Sequence, residues 1–161
     1  PPQALVGVGF SAQGVFDGSY YLRTNASFEP KYSWIFDGVS EEHLGDYGYS
    51  GGGAAGFELD RSDTALGTPE NTVILAVSTD HGDSFVAVPE ELLSHLHTVT
   101  GEPPEDLIRS EIIYSQLEGG GELFSVGSIT FCGSLISNTC ENGVSKMLEN
   151  VLHRFTSNSR P

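Results

Sequence analysis

The most regular strand pattern of the chain is the heptapeptide TVILAVS, which covers Thr72–Ser78. It is β-branched and apolar without interruption, and such a run is typical of a strand in the middle of a sheet that is covered on both faces. Farther along, Glu105–Leu117 and Glu122–Gly127 flank a run of three glycines, a spacing that predicts a β-hairpin. The sequence therefore predicts a sheet with Thr72–Ser78 as a central strand.

Three further elements complete the predicted fold. The clearest helix has apolar residues at i, i+3, i+4, i+7, i+8 and i+11, namely Val144, Met147, Leu148, Val151, Leu152 and Phe155. Asn138 and Glu141 upstream of it resemble a capping box. Pro89–Glu91, followed by leucines, predicts the start of another helix. Ala4–Phe10 reads as a short buried strand. Together these patterns predict an α/β fold with more strand than helix.

The composition indicates one acidic globular segment. The chain has 161 residues and a mass of 17.2 kDa, which fits a single segment, 1–161. Its 22 acidic residues against seven basic ones give a formal charge of −15. Since Lys31 and Lys146 are the only lysines, no basic stripe is available to neutralise phosphates. We therefore expect no nucleic-acid partner and no binding to an anionic membrane.

The two cysteines, Cys132 and Cys140, are too few for a disulfide scaffold. We expect both to be buried structural thiols in a reduced, cytoplasmic protein. No apolar run reaches the length of a membrane span. The sequence opens with Pro1 and contains no initiating methionine, which indicates a processed product, a fragment or one piece of something larger.

A glycine-rich loop, Gly51–Gly56, has the letters G-x-G-x-x-G. A polar stretch precedes it and Phe57–Arg61 does not begin a helix, so the dinucleotide-binding interpretation fails. The glycines instead permit unusual backbone conformations and close approach to a ligand. Glu58 follows the loop, where a carboxylate held in apolar surroundings and facing a cleft would serve as a general base. The alternative, which the residues alone favour, is that Glu58 forms an ion pair with one of the arginines Arg23, Arg61 or Arg109.

The histidines predict no metal site. His95 and His97 are two apart on the predicted helix, so they point to nearly opposite sides and do not chelate together. His43 and His81 lie in predicted loops near aspartates, an arrangement that fits an acid–base couple but is also commonplace at surfaces.

Two long motifs carry a family resemblance. One is GGGAAGFELDR, Gly51–Arg61, followed by Leu66–Pro69; the other is Phe124–Ile129 leading to Glu149–Leu152. Leu5–Gly14 fits as well. These residues resemble the C-terminal region of the large subunit of N,N-dimethylformamidase. The resemblance implies the C-terminal part of a glutamine-amidotransferase-like (flavodoxin-like) layered fold, strand-rich with a C-terminal amphipathic helix.

The resemblance also implies an activity. Members of the family hydrolyse N,N-dimethylformamide or other small N-substituted amides to an amine and a carboxylate, with a mononuclear iron held by two tyrosines and a glutamate. Those ligands precede the region that this chain resembles, so no metal ligand is assigned here. The glutamate of the G-F-E motif is an active-site residue of the family and maps onto Glu58, which becomes the catalytic candidate. Phe57 is the candidate wall of a substrate pocket suited to N-methyl groups.

Partners follow from the same resemblance. We expect the iron on the remaining large-subunit region or on separate chains, together with a small subunit, so that this chain alone hydrolyses nothing. Two alternatives stay open. One is a structural or assembly module that has lost the metal chemistry. The other is a module that binds a carbohydrate or another small ligand, suggested by Trp34 and Tyr32, which we expect to be exposed aromatics.

Overall fold

A computed structural model describes residues 1–88, 92–94, 97–98 and 103–157 of the chain. The strands are β1 (Gly9–Arg23), β2 (His43–Leu44), β3 (Ala55–Arg61), β4 (Val73–Thr79), β5 (Val86–Ala87), β6 (Leu92–Ser94), β7 (His97–Thr98), β8 (Glu111–Gln116) and β9 (Glu122–Val126). The α-helices are α1 (Gln3–Val6), α2 (Phe131–Leu135) and α3 (Gly143–Ser157). Short 3₁₀ segments cover Asn25–Phe28, Pro30–Phe36, Thr64–Leu66, Pro104–Leu107 and Ser137–Cys140.

One curled antiparallel sheet organises the molecule. Its order is β2-β1-β4-β8-β9, and β3 and β5 also pair with β1. The first part of β1 pairs with β3 and β5, whereas its last four residues pair with β4. The sheet curls far enough for the chain after β9 to return to β3, where the Asp60 amide donates to the Gly127 carbonyl at 2.7 Å. Leu59 and Ser128 form a further β-bridge at this point.

The central strand and the hairpin are confirmed. Strand β4 lies between β1 and β8, and Leu75 and Ala76 within it are fully buried. Strands β8 and β9 pair antiparallel across the glycine turn. Pro104–Leu107, which the hairpin prediction included in part, forms a 3₁₀ turn instead because two prolines at 103 and 104 provide no amide for a strand.

Two predicted elements are wrong. Ala4–Phe10 was predicted as one strand, but the chain forms the helical turn α1 and begins β1 only at Gly9, because Gly7 adopts a left-handed φ of 78° between them. In the region of the predicted second helix, the described residues form the antiparallel pair β6–β7. The rest of that helix prediction, including Pro89–Glu91 and His95, lies outside the described residues.

The C-terminal helix is confirmed, and its cap differs from the prediction. The Asn142 Oδ1 accepts a hydrogen bond from the Ser145 amide at 2.9 Å, so Asn142 is the N-cap. Asn138 instead belongs to a left-handed turn with a φ of 49°. The Glu41 carboxylate accepts a hydrogen bond from the Gly143 amide at 2.7 Å and places a negative charge at the positive end of the helix.

The main core lies between the sheet, α3 and the 3₁₀ segment Pro30–Phe36, with Ile35, Leu75 and Met147 fully buried. A smaller core of Ala12, Leu59 and Phe85 lies beneath β3. The strand-rich character and the C-terminal helix agree with the predicted fold class. The glutamine-amidotransferase-like, flavodoxin-like assignment is not confirmed, because the pairings among the described strands are antiparallel rather than parallel.

Candidate functional site

The glycine-rich loop packs directly against β1. A Cβ placed on Gly53 would lie 2.7 Å from the Gly18 carbonyl carbon, and one on Gly56 would lie 2.7 Å from the Gly18 Cα. The Gly18 amide donates to the Gly51 carbonyl at 2.7 Å. The sequence predicted that these glycines permit close approach to a ligand; in the structure, the close approach is between the loop and β1.

This packing holds a four-residue insertion in β1. Gln13 pairs with Glu58 and Gly18 pairs with Gly56, so four residues of β1, 14–17, lie opposite Phe57 alone. The buried ring of Phe85 supports the start of the insertion, since it would touch a Cβ at Gly14. The insertion leaves Phe16 68% exposed at its tip.

Glu58 lies on the outer face of this part of the sheet. In antiparallel strands, directly opposed residues project to the same face. Gln13 is opposed to Glu58 on one side and to Val86 on the other, and both Gln13 and Val86 are exposed. The neighbouring pair, Ala12 and Leu59, is fully buried on the inner face. Glu58 is half-buried and lies on the outer face of this part of the sheet.

Phe57 is held beside Glu58 in a strained backbone conformation. Its φ is 64°, in the left-handed region that is unfavourable for a residue with a large side chain. The ring lies 5.3 Å from that of Phe16, with the planes tilted by 45°. The pairing of β1 with β3 thus brings four residues to the same section of the sheet: Gln13 and Glu58 are directly opposed, and the Phe16 and Phe57 rings lie against each other. The sequence motif predicts roles for Glu58 and Phe57 but none for Gln13 and Phe16, because the pairing of β1 with β3 carries no local signal.

The predicted ion-pair alternative does not occur within the described part of the chain. Arg61 contacts Asp63 at 3.0 Å and Arg109 contacts Glu111 at 2.8 Å. Arg23 packs its guanidinium on the rings of the two phenylalanines Phe28 and Phe36. Of the described basic residues, none forms an ion pair with Glu58.

Four tyrosines are of the residue type that the family resemblance implies for two of the iron ligands: Tyr20, Tyr21, Tyr47 and Tyr49. Tyr20 stacks on His43 at 4.2 Å, and the buried Tyr21 hydroxyl shares a 2.7 Å hydrogen bond with Ser110. The Tyr47 hydroxyl donates to Glu41 at 2.9 Å, and burial together with this bond raises the pKa of Tyr47, which opposes the ionisation that a phenolate ligand requires. Tyr49 is 78% exposed. Among the described residues, no three histidine, cysteine, aspartate or glutamate side chains cluster as metal ligands. These residues do not fit an iron site.

The His81 imidazole is part of a buried hydrogen-bond chain. Its Nε2 lies 2.6 Å from the Ser78 hydroxyl, which accepts from the Ser110 amide at 2.7 Å. Burial lowers the pKa of His81 to about 4, although Asp80 opposes this shift. The hydrogen-bond partner of His81 is therefore Ser78 and not Asp83, the aspartate two residues farther along the chain.

The cysteine prediction is wrong. Cys132 and Cys140 are both exposed free thiols. The buried residues of α2 are Phe131 and Ser134, and Cys132 lies on the opposite, exposed side of this helix. Cys140 lies in a left-handed turn at the surface, with a φ of 67°.

The aromatic residues that suggested a carbohydrate site are less accessible than expected. Tyr32 is buried, and Trp34 is half-buried with the Arg154 guanidinium 4.8 Å from its ring centre. Both line a cavity of about 380 Å³ whose two cations are already paired, Lys31 with Glu29 and Arg154 with Glu122. Among the described residues, no helix is both long enough and apolar enough to cross a bilayer.

Comparison with known proteins defines the family. Residues 1–142 match the family model described as N,N-dimethylformamidase beta subunit-like, C-terminal. The chain is 40% identical over 155 residues to the N,N-dimethylformamidase beta subunit of Alcaligenes sp, and 39% identical over 155 residues to that of Paracoccus aminophilus. Each alignment covers 95% of this chain and 20% of the relative.

The chain therefore spans about a fifth of the length of the curated relatives that it matches. It belongs to the N,N-dimethylformamidase beta subunit-like, C-terminal family. The family resemblance found in the sequence motifs is confirmed.

Proposed function

We propose that this chain supplies the Glu58 carboxylate to the active site of an amidohydrolase that cleaves N,N-dimethylformamide or a similar small N-substituted amide to an amine and formate. The observation that carries the proposal is that Glu58 lies on the outer face of the sheet, opposed to Gln13 and next to Phe57 along β3. Of the described basic residues, none forms an ion pair with it. The names of the two relatives support the substrate class.

A carboxylate in this position can act as a general base and then as a general acid in amide hydrolysis. It accepts a proton from a water molecule, whose oxygen then attacks the amide carbon. When the C–N bond breaks, the protonated carboxyl group returns the proton to the departing amine, and formate remains. Glu58 is thus general base in the first step and general acid in the second. The left-handed Phe57 fixes the direction of the adjacent chain, which orients Glu58 relative to the ring.

The partner of this surface is proposed to be the rest of the large subunit. Because the relatives are about five times longer than the aligned segment, most of such an enzyme lies outside this chain. We propose that this remaining region, or separate chains together with a small subunit, binds the mononuclear iron and covers the face that carries Glu58. The chain would then be the C-terminal portion of a larger catalytic domain, active only with its partner. The cytoplasmic location stays a prediction.

The test is formate release from N,N-dimethylformamide by the native assembly, with iron content measured in every sample. Glu58→Gln keeps the size of the side chain and removes the base. Glu118→Gln is the matched control, because Glu118 is an exposed carboxylate in the turn between β8 and β9. We expect Glu58→Gln to lose at least about a hundredfold in kcat, as expected for loss of a general base, while its iron content and assembly stay unchanged.

Three outcomes would contradict parts of this proposal. Equal activity of Glu58→Gln and Glu118→Gln would show that Glu58 is not catalytic. An iron-containing assembly that leaves N,N-dimethylformamide intact would show that the substrate is a different amide. An inactive assembly without iron would favour the structural or assembly module.

A further inference from the structure

The aromatic surface beside Glu58 is built by two strands, and only one of its two rings belongs to the glycine-rich motif. Phe57 comes from β3, whereas Phe16 comes from the insertion in β1. Their ring centres are 5.3 Å apart. Phe16 is 68% exposed, so it contributes little to the core of the described structure.

The position of Phe16 is held by the backbone. The carbonyl oxygen of Phe16 would lie 3.3 Å from a Cβ on Gly51, and the next residues of β1 pack on Gly53 and Gly56. Side chains at these glycines would push the insertion away from β3. This close packing and the strained, left-handed backbone of Phe57 keep the exposed Phe16 ring against the Phe57 ring, one residue along β3 from Glu58.

We propose that Phe16 is a specificity-determining residue, whose ring forms with Phe57 the apolar surface that contacts the N-alkyl groups of the amide. This inference rests on the proposed function. An N-methyl group on an amide is apolar and gains free energy by leaving water for an aromatic surface, whereas the N–H of an unsubstituted amide loses its hydrogen bonds to water there. The Phe16–Phe57 surface therefore favours the dialkylated amide over formamide.

The size of the effect follows from the area involved. Burying one methyl-sized group is worth about a fourfold change in a binding or rate constant, and two such groups together about tenfold to twentyfold. Removal of one of the two rings should therefore lower the preference for N,N-dimethylformamide over formamide by about fourfold, the share of one methyl-sized group. Because Phe16 is exposed, its truncation leaves the buried core of the described structure intact.

The experiment compares kcat/KM for N,N-dimethylformamide, N-methylformamide and formamide in the native assembly, with assembly checked by size-exclusion chromatography. The variants are Phe16→Ala and the matched control Val15→Ala, which removes a neighbouring side chain of the same insertion that is 65% exposed. We expect Phe16→Ala to lower kcat/KM most for the dimethylated amide, less for the monomethylated amide and least for formamide, and Val15→Ala to leave the ratios unchanged.

A uniform loss on all three amides, or a Phe16→Ala assembly that falls apart, would overturn the inference and identify Phe16 as a contact within the assembly. Unchanged ratios in an active Phe16→Ala enzyme would also overturn it and leave the proposed function standing. If the wild-type assembly hydrolyses none of the three amides, the proposed function fails and the inference fails with it.

Discussion

The close packing of the glycine-rich loop on β1 leads to a sharp prediction for the substitution Gly56→Ala. Gly56 is buried in β3 and its φ lies outside the left-handed region, so alanine can adopt the backbone conformation at this position. The obstacle is steric. The new Cβ would lie 2.7 Å from the Gly18 Cα and closer still to the Asp17 carbonyl oxygen. Both neighbours are backbone atoms, which cannot rotate away as a side chain would.

The cost can be estimated from these distances. Carbon atoms in contact are normally separated by about 3.5–4.0 Å, so β1 and β3 must separate locally. Overpacking of this kind costs about 1–3 kcal/mol, and we take about 2 kcal/mol because the clash involves two strands rather than a loop. For a chain of this length, a change of 1 kcal/mol lowers the melting temperature by about 2–4 °C. Gly56→Ala should therefore melt about 4–8 °C below the wild type.

Thermal unfolding of the purified protein, followed by circular dichroism, measures this shift. Gly119→Ala is the first control, since a Cβ there meets nothing within 4 Å, and we expect no destabilisation. Gly52→Ala is the second, since it also meets open space but has a φ of 81°, and it should cost only the left-handed penalty of about 1 kcal/mol. If Gly56→Ala and Gly119→Ala have the same melting temperature, close packing does not explain the need for glycine at position 56. If Gly52→Ala is the most damaging of the three, conformational freedom is the reason instead.

Two further predictions concern stability. Asn142 caps α3 and its Nδ2 donates to the Leu135 carbonyl at 3.1 Å and the Ser137 carbonyl at 2.7 Å, so Asn142→Ala should lower the free energy of unfolding by about 2 kcal/mol. Asn142→Ser retains a capping oxygen and should lose less, and equal losses in urea unfolding would argue against the cap. For His81, burial lowers the folded-state pKa from 6.5 to about 4, so that between these values the unfolded chain binds a proton that the folded chain does not. Stability should therefore fall as the pH drops from 6.5 to 4, and His81→Gln should flatten this part of the stability–pH curve; an unchanged slope would refute the assignment.

The elements that could be predicted from the sequence are those whose signals are local. Thr72–Ser78 is apolar throughout, the β8–β9 hairpin is marked by its glycines, and α3 by its 3.6-residue period. The predictions failed where a single residue changes the direction of the chain. Gly7 separates α1 from β1 within what reads as one apolar run, and Asn142 rather than Asn138 caps α3 because a left-handed turn intervenes. Apolar composition alone does not distinguish these cases.

The candidate site depends on a different kind of information. The motif identified Glu58 and Phe57, but whether Glu58 faces a cleft depends on which face of β3 is covered, and the motif does not give that face. The period of a strand assigns Glu58 and Leu59 to opposite faces, and the burial of Leu59 against Ala12 then leaves Glu58 on the outer one. Glu58 is an outward carboxylate with no ion pair to a described basic residue, and it adjoins Phe57, whose backbone is strained, and the insertion that carries the exposed Phe16. Such an arrangement is poorly explained by the stability of this segment. It is explained if a second body completes the site, and the segment's coverage of a fifth of its relatives is consistent with such a body.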